Sequence, residues 1–264
     1  MTDPKRIKIY TRSMNDVLYH KSMALCSLPY EKVQLKNTSA EGYLYQVIAD
    51  TEADWVVNID EDAFVTNIGA LKRLIDYCIK NSYVNCGMPD GGVVHLRDGN
   101  PLVTNPYLNI LNTKALREQF SADKLNENPD KDRFTQTDIL VGAHDFSATD
   151  VEPYYPFFIW LSNHFQTLYL KATNHPDGES TVIYNHLGEE VLIHTLYSRY
   201  YNNNRFHTHR IDNAFKEACR KQGIAYHSPL RDTITCAIAR TRSMLQHCLV
   251  AAKRTIVDLQ DIPP

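Results

Sequence analysis

The chain has 264 residues, 43% hydrophobic and 22% charged, which suits one large domain, or one domain with an extension, and a buried core. No apolar segment follows residues 1–6 and no apolar run is long enough to cross a bilayer, so the sequence predicts neither a signal peptide nor a membrane span. Its six cysteines contain no C-x-x-C pair, and we expect free thiols in a cytoplasmic protein.

The net charge of −3 hides an uneven distribution of charge along the chain. Residues 1–194 carry a net charge of −9, whereas residues 195–254 carry +8. A basic segment of this size predicts an anionic partner, and both the phosphates of a substrate and an anionic membrane surface fit. No nucleic-acid-binding motif accompanies the charge, so we expect no nucleic-acid partner.

The first third of the chain alternates between strand-like and helix-like segments. Short apolar or alternating runs predict strands at 7–10, 32–35, 55–59 and 83–86. Helical spacing of apolar residues fills the intervals, with a helix at 16–28, one behind a capping box at Thr38 and Glu41, and one capped by Asn67. This alternation predicts an α/β fold with a mostly parallel central sheet flanked by helices.

The pattern is less regular from residue 90 onward. The turn Asp98-Gly99 predicts a hairpin between 93–96 and 102–103, and residues 121–150 form a poorly periodic stretch typical of a lid or a partly disordered loop. We predict the remaining elements as follows: a strand at 107–111, a helix at 113–120, a helix opening at 150–153 with Pro153 in its first turn, strands at 168–171, 181–184 and 191–193, a helix at 211–221 closed by Gly223, and a helix over about 234–259.

Three acids follow the strand at 55–59. Asp60, Glu61 and Asp62 lie where the strand leaves the sheet, and ligands of open α/β sheets bind at that end of the strands. Because side chains alternate, we expect Asp60 and Asp62 to share one side and Glu61 to face the other. Two carboxylates so placed can hold a hard divalent cation. A solvated acidic loop is the alternative interpretation.

These residues together resemble the GT-A glycosyltransferases, and especially the family 2-like enzymes of bacterial surface polysaccharide synthesis. The resemblance rests on the first strand running into Thr11-Arg12-Ser13, on Asp60-Glu61-Asp62 as a D-x-D motif after an apolar strand, and on the late stretch from His194 to Arg199. It covers about residues 5–210. It implies a GT-A fold and the transfer of a sugar from a nucleotide sugar, with UDP favoured, to a saccharide or lipid-linked acceptor.

The resemblance also implies roles for residues of this chain. Asp62 would bind Mn²⁺ or Mg²⁺, Asp60 would share the metal or face the ribose, and His194 would complete the metal site unless it is an ordinary core histidine. Thr11, Arg12 and Arg199 would meet the nucleotide sugar. Asp90, which a turn explains equally well, would hydrogen-bond the donor sugar.

An inverting transfer needs a base for the acceptor hydroxyl, and the acids before the helix at 150–153 are the candidates. We expect Glu152 in this role, with Asp150 as the second choice, although both also suit a helix N-terminus. A retaining enzyme would need neither. His207 and His209 form an H-x-H pair that is either another metal or phosphate site or, as we prefer, an exposed basic loop.

The end of the chain is a separate unit in this interpretation. We expect a catalytic domain at 1–230 and a helical extension at 231–264, packed on the domain through an apolar stripe. The stripe consists of Ile234, Ala237, Ile238, Thr241, Leu245, Cys248, Leu249, Ala252 and Ile256. Arginines and lysines around it offer an alternative, in which the helix makes peripheral contact with the inner face of a membrane.

The sequence is also compatible with two other functions. A sugar nucleotidyltransferase would have a similar sheet and acids, but it would normally carry a glycine-rich phosphate loop where this chain has residues 11–14 without a glycine. A non-catalytic nucleotide- or sugar-binding module would bind its ligand unchanged after Asp62→Ala.

Overall fold

The computed structural model describes residues 6–90, 99–126 and 152–260. The strands in these ranges are β1 Ile7–Ser13, β2 Glu31–Lys36, β3 Trp55–Ile59, β4 Ala63–Val65, β5 Asn85–Pro89, β6 Thr104–Leu111, β7 Thr167–Tyr169, β8 Lys171–Asn174, β9 Thr181–Tyr184 and β10 Glu190–His194. The α-helices are α1 Asp16–Ala24, α2 Ala40–Ala49, α3 Ile68–Lys80, α4 Thr113–Gln119, α5 Tyr155–His164, α6 Arg205–Gln222 and α7 Leu230–Gln260. Short 3-10 helices span Ala122–Asn126 and Ser198–Tyr200.

Six of the described strands form the main sheet, in the order β2-β1-β3-β6-β5-β7. The pairs β1–β2, β1–β3 and β5–β7 are parallel, and both pairs made by β6 are antiparallel. Five strands therefore run in one direction and β6 alone runs against them. The predicted α/β class, with a mostly parallel sheet flanked by helices, is confirmed.

Helices cover both faces of this sheet because residues of β1 and β3 alternate between two apolar clusters. Ile9 and Val57 face a cluster that contains residues of α1, α3 and α6. Tyr10 and Val56 face the other cluster, which contains residues of α2, α4 and α5. Both strands are buried on both faces, which explains why β3 is a continuous apolar run with little alternation.

A smaller antiparallel sheet, in the order β4-β10-β9-β8, lies beside the main one. The chain passes from the main sheet to the small sheet at 60–62, between β3 and β4, and again at Leu170, between β7 and β8. The single strand predicted at 168–171 is therefore two strands in different sheets. Strand β4 was not predicted, since it has only three residues and pairs with β10, far along the chain.

Several helix ends differ from the predicted ones. Helix α1 stops at Ala24 rather than at 28, and Ser39 instead of Thr38 caps α2, since its hydroxyl accepts a hydrogen bond from the Gly42 backbone N–H at 3.0 Å. Asn112 instead of Thr113 caps α4. The hairpin strand at 93–96 and most of the loop at 121–150 lie outside the described residues.

The later helices also begin at unexpected places. Helix α5 begins at Tyr155, so Pro156 rather than Pro153 lies in its first turn. Helix α6 begins at Arg205 because the Asn204 side chain accepts a hydrogen bond from the His207 N–H at 3.2 Å. Its end at Gly223, with φ of 67°, agrees with the prediction.

Helix α7 confirms the predicted C-terminal helix but not its predicted packing. Ile234, Ile238 and Leu245 of the apolar stripe are exposed, so this stripe does not attach the helix to the domain. None of the helices in the described ranges is long and apolar enough to cross a membrane. The cysteines whose side chains the structure describes are free thiols, as predicted; they are Cys26, Cys78, Cys86, Cys219 and Cys236.

Candidate active site

The turn between β3 and β4 consists of three acids that are almost completely buried. Asp60, Glu61 and Asp62 are each less than a tenth exposed. The Ala63 N–H donates to the Asp60 carbonyl at 3.1 Å and closes the turn, while the Asp60 N–H donates to the Tyr107 carbonyl of β6 at 3.0 Å. A turn held on both sides in this way fixes the direction of each carboxylate.

Asp60 and Asp62 face a cleft of about 290 Å³, formed by the ends of β1 and β3, the start of β6, the segment before α5 and the segment after β10. The residues that line it are Arg12, Ala40, Asp60, Asp62, Asn105, Pro106, Tyr107, Glu152, Tyr154, His194, Leu196, Tyr197, Ser198 and Arg199. Most of the residues predicted from the sequence to form a site therefore share one cleft.

Arg12 and Asp60 form an ion pair across the neighbouring strands β1 and β3. The Arg12 Nη2 atom donates to Asp60 Oδ2 at 2.6 Å, and the Asn58 amide donates to Asp60 Oδ1 at 3.3 Å. Burial raises the pKa of Asp60 and the nearby Asp62 raises it further, while Arg12 opposes both effects. Arg12 therefore compensates for the removal of this carboxylate from water.

Glu61 faces away from the cleft, as the alternation of side chains predicts. Its Oε2 atom accepts hydrogen bonds from the Ser13 hydroxyl at 2.9 Å and from the backbone N–H groups of Met14 and Asn15 at 2.9 and 2.7 Å. Burial, together with the charge of Asp62, raises the pKa of Glu61 to about 7. Glu61 thus ties the D-x-D turn to the segment between β1 and α1.

Asp62 lies beside His194 because β4 and β10 are paired with Ala63 opposite His194. The His194 Nε2 atom is 3.6 Å from Asp62 Oδ1, and the Thr195 N–H and hydroxyl both donate to the Asp62 carbonyl, at 2.9 and 3.0 Å. The His194 ring stacks on Tyr107 with 3.8 Å between ring centroids. Burial would raise the pKa of Asp62, but the charge and hydrogen bond of His194 lower it.

The predicted metal ligands are adjacent but do not form a cage. Within the described ranges, no group of three or more His, Cys, Asp or Glu side chains is arranged to hold a metal ion, and Arg12 occupies one oxygen of Asp60. Mg²⁺ and related ions often bind through one or two carboxylates together with substrate phosphates and water. Asp62 and Asp60 fit that mode, and the metal site stays a prediction.

Two predicted binding residues do not reach the cleft. Thr11 is fully buried and its hydroxyl contacts the Met23 sulfur at 3.7 Å, because Thr11 and Arg12 are neighbours on a strand and face opposite ways. Asp90 is also fully buried. It accepts hydrogen bonds from Asn105 at 2.7 Å and Tyr155 at 2.5 Å, so it lies behind the cleft wall and orients Asn105.

Of the two candidate bases and Arg199, the structure describes Glu152 and Arg199. Glu152 lines the cleft, three residues before α5 begins, while Asp150 lies outside the described residues. Arg199 lines the cleft from the 3-10 helix after β10, with its guanidinium 5.2 Å from the centre of the Tyr200 ring. Both Glu152 and Arg199 therefore line the cleft that Asp60 and Asp62 face.

The cleft wall contains a left-handed segment that was not predicted from the sequence. Leu196 and Tyr197 have φ angles of 57° and 60°, which non-glycine residues adopt at a cost of order 1 kcal/mol or more each. The buried Arg210 of α6 holds the Leu196 carbonyl at 3.1 Å. Neither residue carries a sequence signal for this conformation, since glycine and asparagine are the usual markers.

The H-x-H pair is in α6 rather than in a loop. His207 lies 3.5 Å from Glu179 and stacks on Tyr200 at 5.2 Å between ring centroids. His209 contacts Asn213 at 3.2 Å. Of the histidines considered for the metal site, His194 is the one that lies beside Asp62.

Comparisons with known proteins were made at the level of both sequence and structure. No family model matches the chain, and no curated protein matches its sequence. Among solved structures, A197 from STIV is similar with a TM-score of 0.38 and 11% identity, over 71% of this chain and 93% of that one.

Two further proteins, one of them a glycosyltransferase, are also among the similar structures. S. aureus TarS 1–349, solved also in complex with UDP-GlcNAc, is 14% identical with a TM-score of 0.29, over 43% of this chain and 48% of TarS. A glycosyltransferase involved in the glycosylation of the major capsid of PBCV-1 is 14% identical with a TM-score of 0.30, over 60% and 91%.

Proposed function

We propose that this chain is a GT-A-type glycosyltransferase that moves a sugar from a nucleotide sugar, for which we favour a UDP-sugar, to a saccharide or lipid-linked acceptor. The observation that carries the proposal is the turn between β3 and β4. It presents two buried carboxylates, Asp60 and Asp62, to a cleft that also contains the Arg12 guanidinium. Such a cleft suits a ligand that brings phosphates, and a metal ion with them.

Asp62 and Asp60 would hold Mn²⁺ or Mg²⁺ together with the donor's pyrophosphate. A bound divalent ion supplies charge stabilisation to the leaving nucleoside diphosphate. The ionised state of Asp62, favoured by His194, suits a metal ligand. The stacking of His194 on Tyr107 and the two hydrogen bonds from Thr195 keep this part of the cleft rigid, so little ordering is needed when the donor binds.

Arg12 and Arg199 would meet the donor from two sides of the cleft. Arg12 uses Nη2 for Asp60, and the guanidinium has further N–H groups that can donate to a ribose hydroxyl or a phosphate oxygen. Arg199 lies in the exposed 3-10 helix after β10 and can approach the phosphates as they enter. The two arginines offset part of the charge of the three carboxylates that line the same cleft.

In an inverting transfer, Glu152 would accept the proton of the acceptor hydroxyl. It lines the cleft just before α5, and Asp150 is the second candidate. The acceptor oxygen would attack the anomeric carbon, the bond to the nucleoside diphosphate would break, and the proton would pass to the carboxylate. A retaining transfer would not require this base.

The proposal is tested by the thermal stability of the protein with nucleotides, with and without Mn²⁺. A ligand at a hundredfold excess over its Kd stabilises the folded state by about 2.7 kcal/mol. For a chain of this size we expect a rise in Tm of roughly 5 °C. UDP should raise the Tm only when Mn²⁺ is present, and Asp62→Asn should abolish this metal-dependent rise.

The matched control is Asp76→Asn, because Asp76 is a half-exposed carboxylate of α3 that pairs only with Lys72 at the surface. This variant should respond to UDP and Mn²⁺ like the wild type. A screen in which no nucleoside diphosphate produced a metal-dependent shift would contradict the proposal. Release of UDP from UDP-sugars then tests transfer, whereas pyrophosphate formed from a sugar 1-phosphate and a nucleoside triphosphate would indicate a nucleotidyltransferase.

A further inference from the structure

Helix α7 attaches to the rest of the chain through a small, polar face. The Asp232 carboxylate contacts the His20 ring at 2.8 Å, the Cys236 sulfur accepts from the Asn202 amide at 3.2 Å, and the Ser243 hydroxyl donates to the Asn203 carbonyl at 3.1 Å. These positions are separated by four and seven residues, so they lie on one side of the helix. We call this side the docking face.

The opposite side of α7 is apolar and exposed. Leu230, Ile234, Ile238 and Leu245 are exposed to 76%, 50%, 64% and 56%. At 3.6 residues per turn, these positions lie about half a turn away from the docking face. We call this set the exposed stripe. Helices of globular proteins normally turn such a stripe towards the core, so its exposure indicates a surface that another structure covers.

Positive charges lie along one border of the exposed stripe. Arg231 and Arg242 are exposed and lie next to the stripe on the same edge. The one acid of the described side chains of α7, Asp232, is buried against His20 and does not reduce the charge of this edge. An apolar stripe beside arginines matches the anionic headgroups and acyl chains of a lipid surface, since arginine can extend its charge towards the headgroups.

A second copy of the chain is a poorer match to this surface. A second stripe would offer these arginines no acid, because Asp232 is buried, and in an antiparallel symmetric pair the two arginine edges would lie on the same side and repel.

We propose that α7 is a membrane-docking helix, which places its exposed stripe in the surface of an anionic lipid bilayer. The docking face holds the helix on the domain while the stripe contacts the lipid. The 31-residue helix would lie parallel to the membrane, because it is too polar to cross it. This inference does not depend on the proposed transferase activity.

The test is co-sedimentation of the full chain with lipid vesicles of phosphatidylcholine alone and with about a third of phosphatidylglycerol. We expect binding to the anionic vesicles that is at least about tenfold tighter than to the neutral ones and is weakened by salt. The double variant Ile234→Ser/Ile238→Ser removes apolar contact, and Arg231→Gln/Arg242→Gln removes charge. Each should lower the affinity about tenfold or more.

Two control variants test whether the loss of vesicle binding is specific to the exposed stripe and its arginines. Leu187→Ser removes an exposed apolar side chain from the turn between β9 and β10, and Lys80→Gln/Lys171→Gln removes two exposed positive charges elsewhere. These variants should bind vesicles like the wild type. Because all substituted residues are exposed, every variant should keep the wild-type Tm, which checks that the fold is unchanged.

Three results would overturn the proposal. The first is equal sedimentation with and without anionic vesicles. The second is unchanged binding by the stripe variant. The third is a dimer in solution, seen by light scattering, that Ile234→Ser/Ile238→Ser dissociates while vesicle binding is absent, since a second copy would then cover the stripe.

Discussion

Arg12 and Asp60 depend on each other because folding removes the Asp60 carboxylate from water. Asp60 keeps only a tenth of its side chain exposed and Arg12 a quarter, and their atoms are 2.6 Å apart. Removing one partner of such a pair leaves a buried charge without compensation, which costs several kcal/mol, whereas removing both costs much less. The pair therefore links the stability of the fold to the charge of the cleft.

We predict that Arg12→Gln lowers the free energy of unfolding by about 3 kcal/mol at neutral pH, since Asp60 is left buried without its cation. Arg12→Gln/Asp60→Asn should recover about half of this loss. Urea denaturation of the two single variants and the double variant measures the coupling. Additive effects would show that the ion pair adds nothing to stability.

The direction of each side chain in the cleft follows from position along a strand. Alternation correctly predicts that Asp60 and Asp62 share a side, and the same rule applied to β1 would have separated Thr11 from Arg12. The left-handed conformation of Leu196 and Tyr197 does not follow from position along a strand. Arg210, which holds the Leu196 carbonyl, lies more than ten residues later. Contacts of that kind are absent from local sequence patterns.

At the scale of the elements, the turn between β8 and β9 supports the wall of the cleft. The Asp177 side chain accepts hydrogen bonds from the Glu179 N–H at 3.0 Å and from the Ser180 N–H at 2.7 Å and hydroxyl at 2.6 Å. Arg210 then donates to the Ser180 hydroxyl at 2.7 Å and to the Leu196 carbonyl. The turn and the left-handed segment are therefore held through one arginine.

This turn leads to a prediction about pH. Burial raises the pKa of Asp177, but the hydrogen bonds from Ser180 and Glu179 and the charge of nearby His175 outweigh it and lower the pKa. The stabilisation from a carboxylate with a lowered pKa is complete above the unfolded value of about 3.9 and is lost as the pH falls through the folded value. Asp177→Asn should cost about 1 kcal/mol at pH 6–7, and this cost should decrease as the pH falls below the unfolded value of about 3.9.

Denaturant unfolding of Asp177→Asn and the wild type across this pH range gives the measurement. Asp76→Asn, at the surface of α3, is the control and should show a much smaller difference at every pH. A cost for Asp177→Asn that stayed constant down to pH 2 would mean that the ionised carboxylate is not the source of the stabilisation.

Sequence patterns predict an element well when its own residues contain the apolar spacing and the capping residues that define it. Helix α3 has apolar residues at regular spacing and a capping Asn67, and β3 is a continuous apolar run. Strands β4 and β7 have three residues each and pair with strands far along the chain, β10 and β5. The pairing of β4 with β10, which brings His194 to Asp62, could therefore not be predicted, although strands were predicted at β9 and β10.

At the scale of the whole molecule, the two sheets and α7 have different relations to the core. The sheets share an apolar cluster that includes Phe64 of β4 and Ile183 of β9, so they form one unit. Helix α7 adds few apolar side chains to it, and its docking face consists largely of polar contacts to α1, to α6 and to the segment before α6. A helix attached in this way is not required for the core to form.

We therefore predict that a chain ending at residue 229 still folds. Its unfolding should remain cooperative, because the apolar clusters of the main sheet are intact, but its Tm should be several degrees lower. The loss arises because removal of α7 leaves Asn202 without Cys236 and Arg240, and exposes Val17, Phe215 and Tyr226 at the cavity that α7 covers. Circular dichroism during heating measures both properties.

The shortened chain also separates the two proposals of function. If the cleft binds a nucleotide as proposed, the metal-dependent shift in Tm produced by UDP should persist in the chain ending at residue 229, since none of the described α7 side chains lines that cleft. Binding to anionic vesicles should disappear. A shortened chain without cooperative unfolding would show instead that α7 belongs to the core. In that case α7 would contribute more to folding than the polar contacts of its docking face indicate.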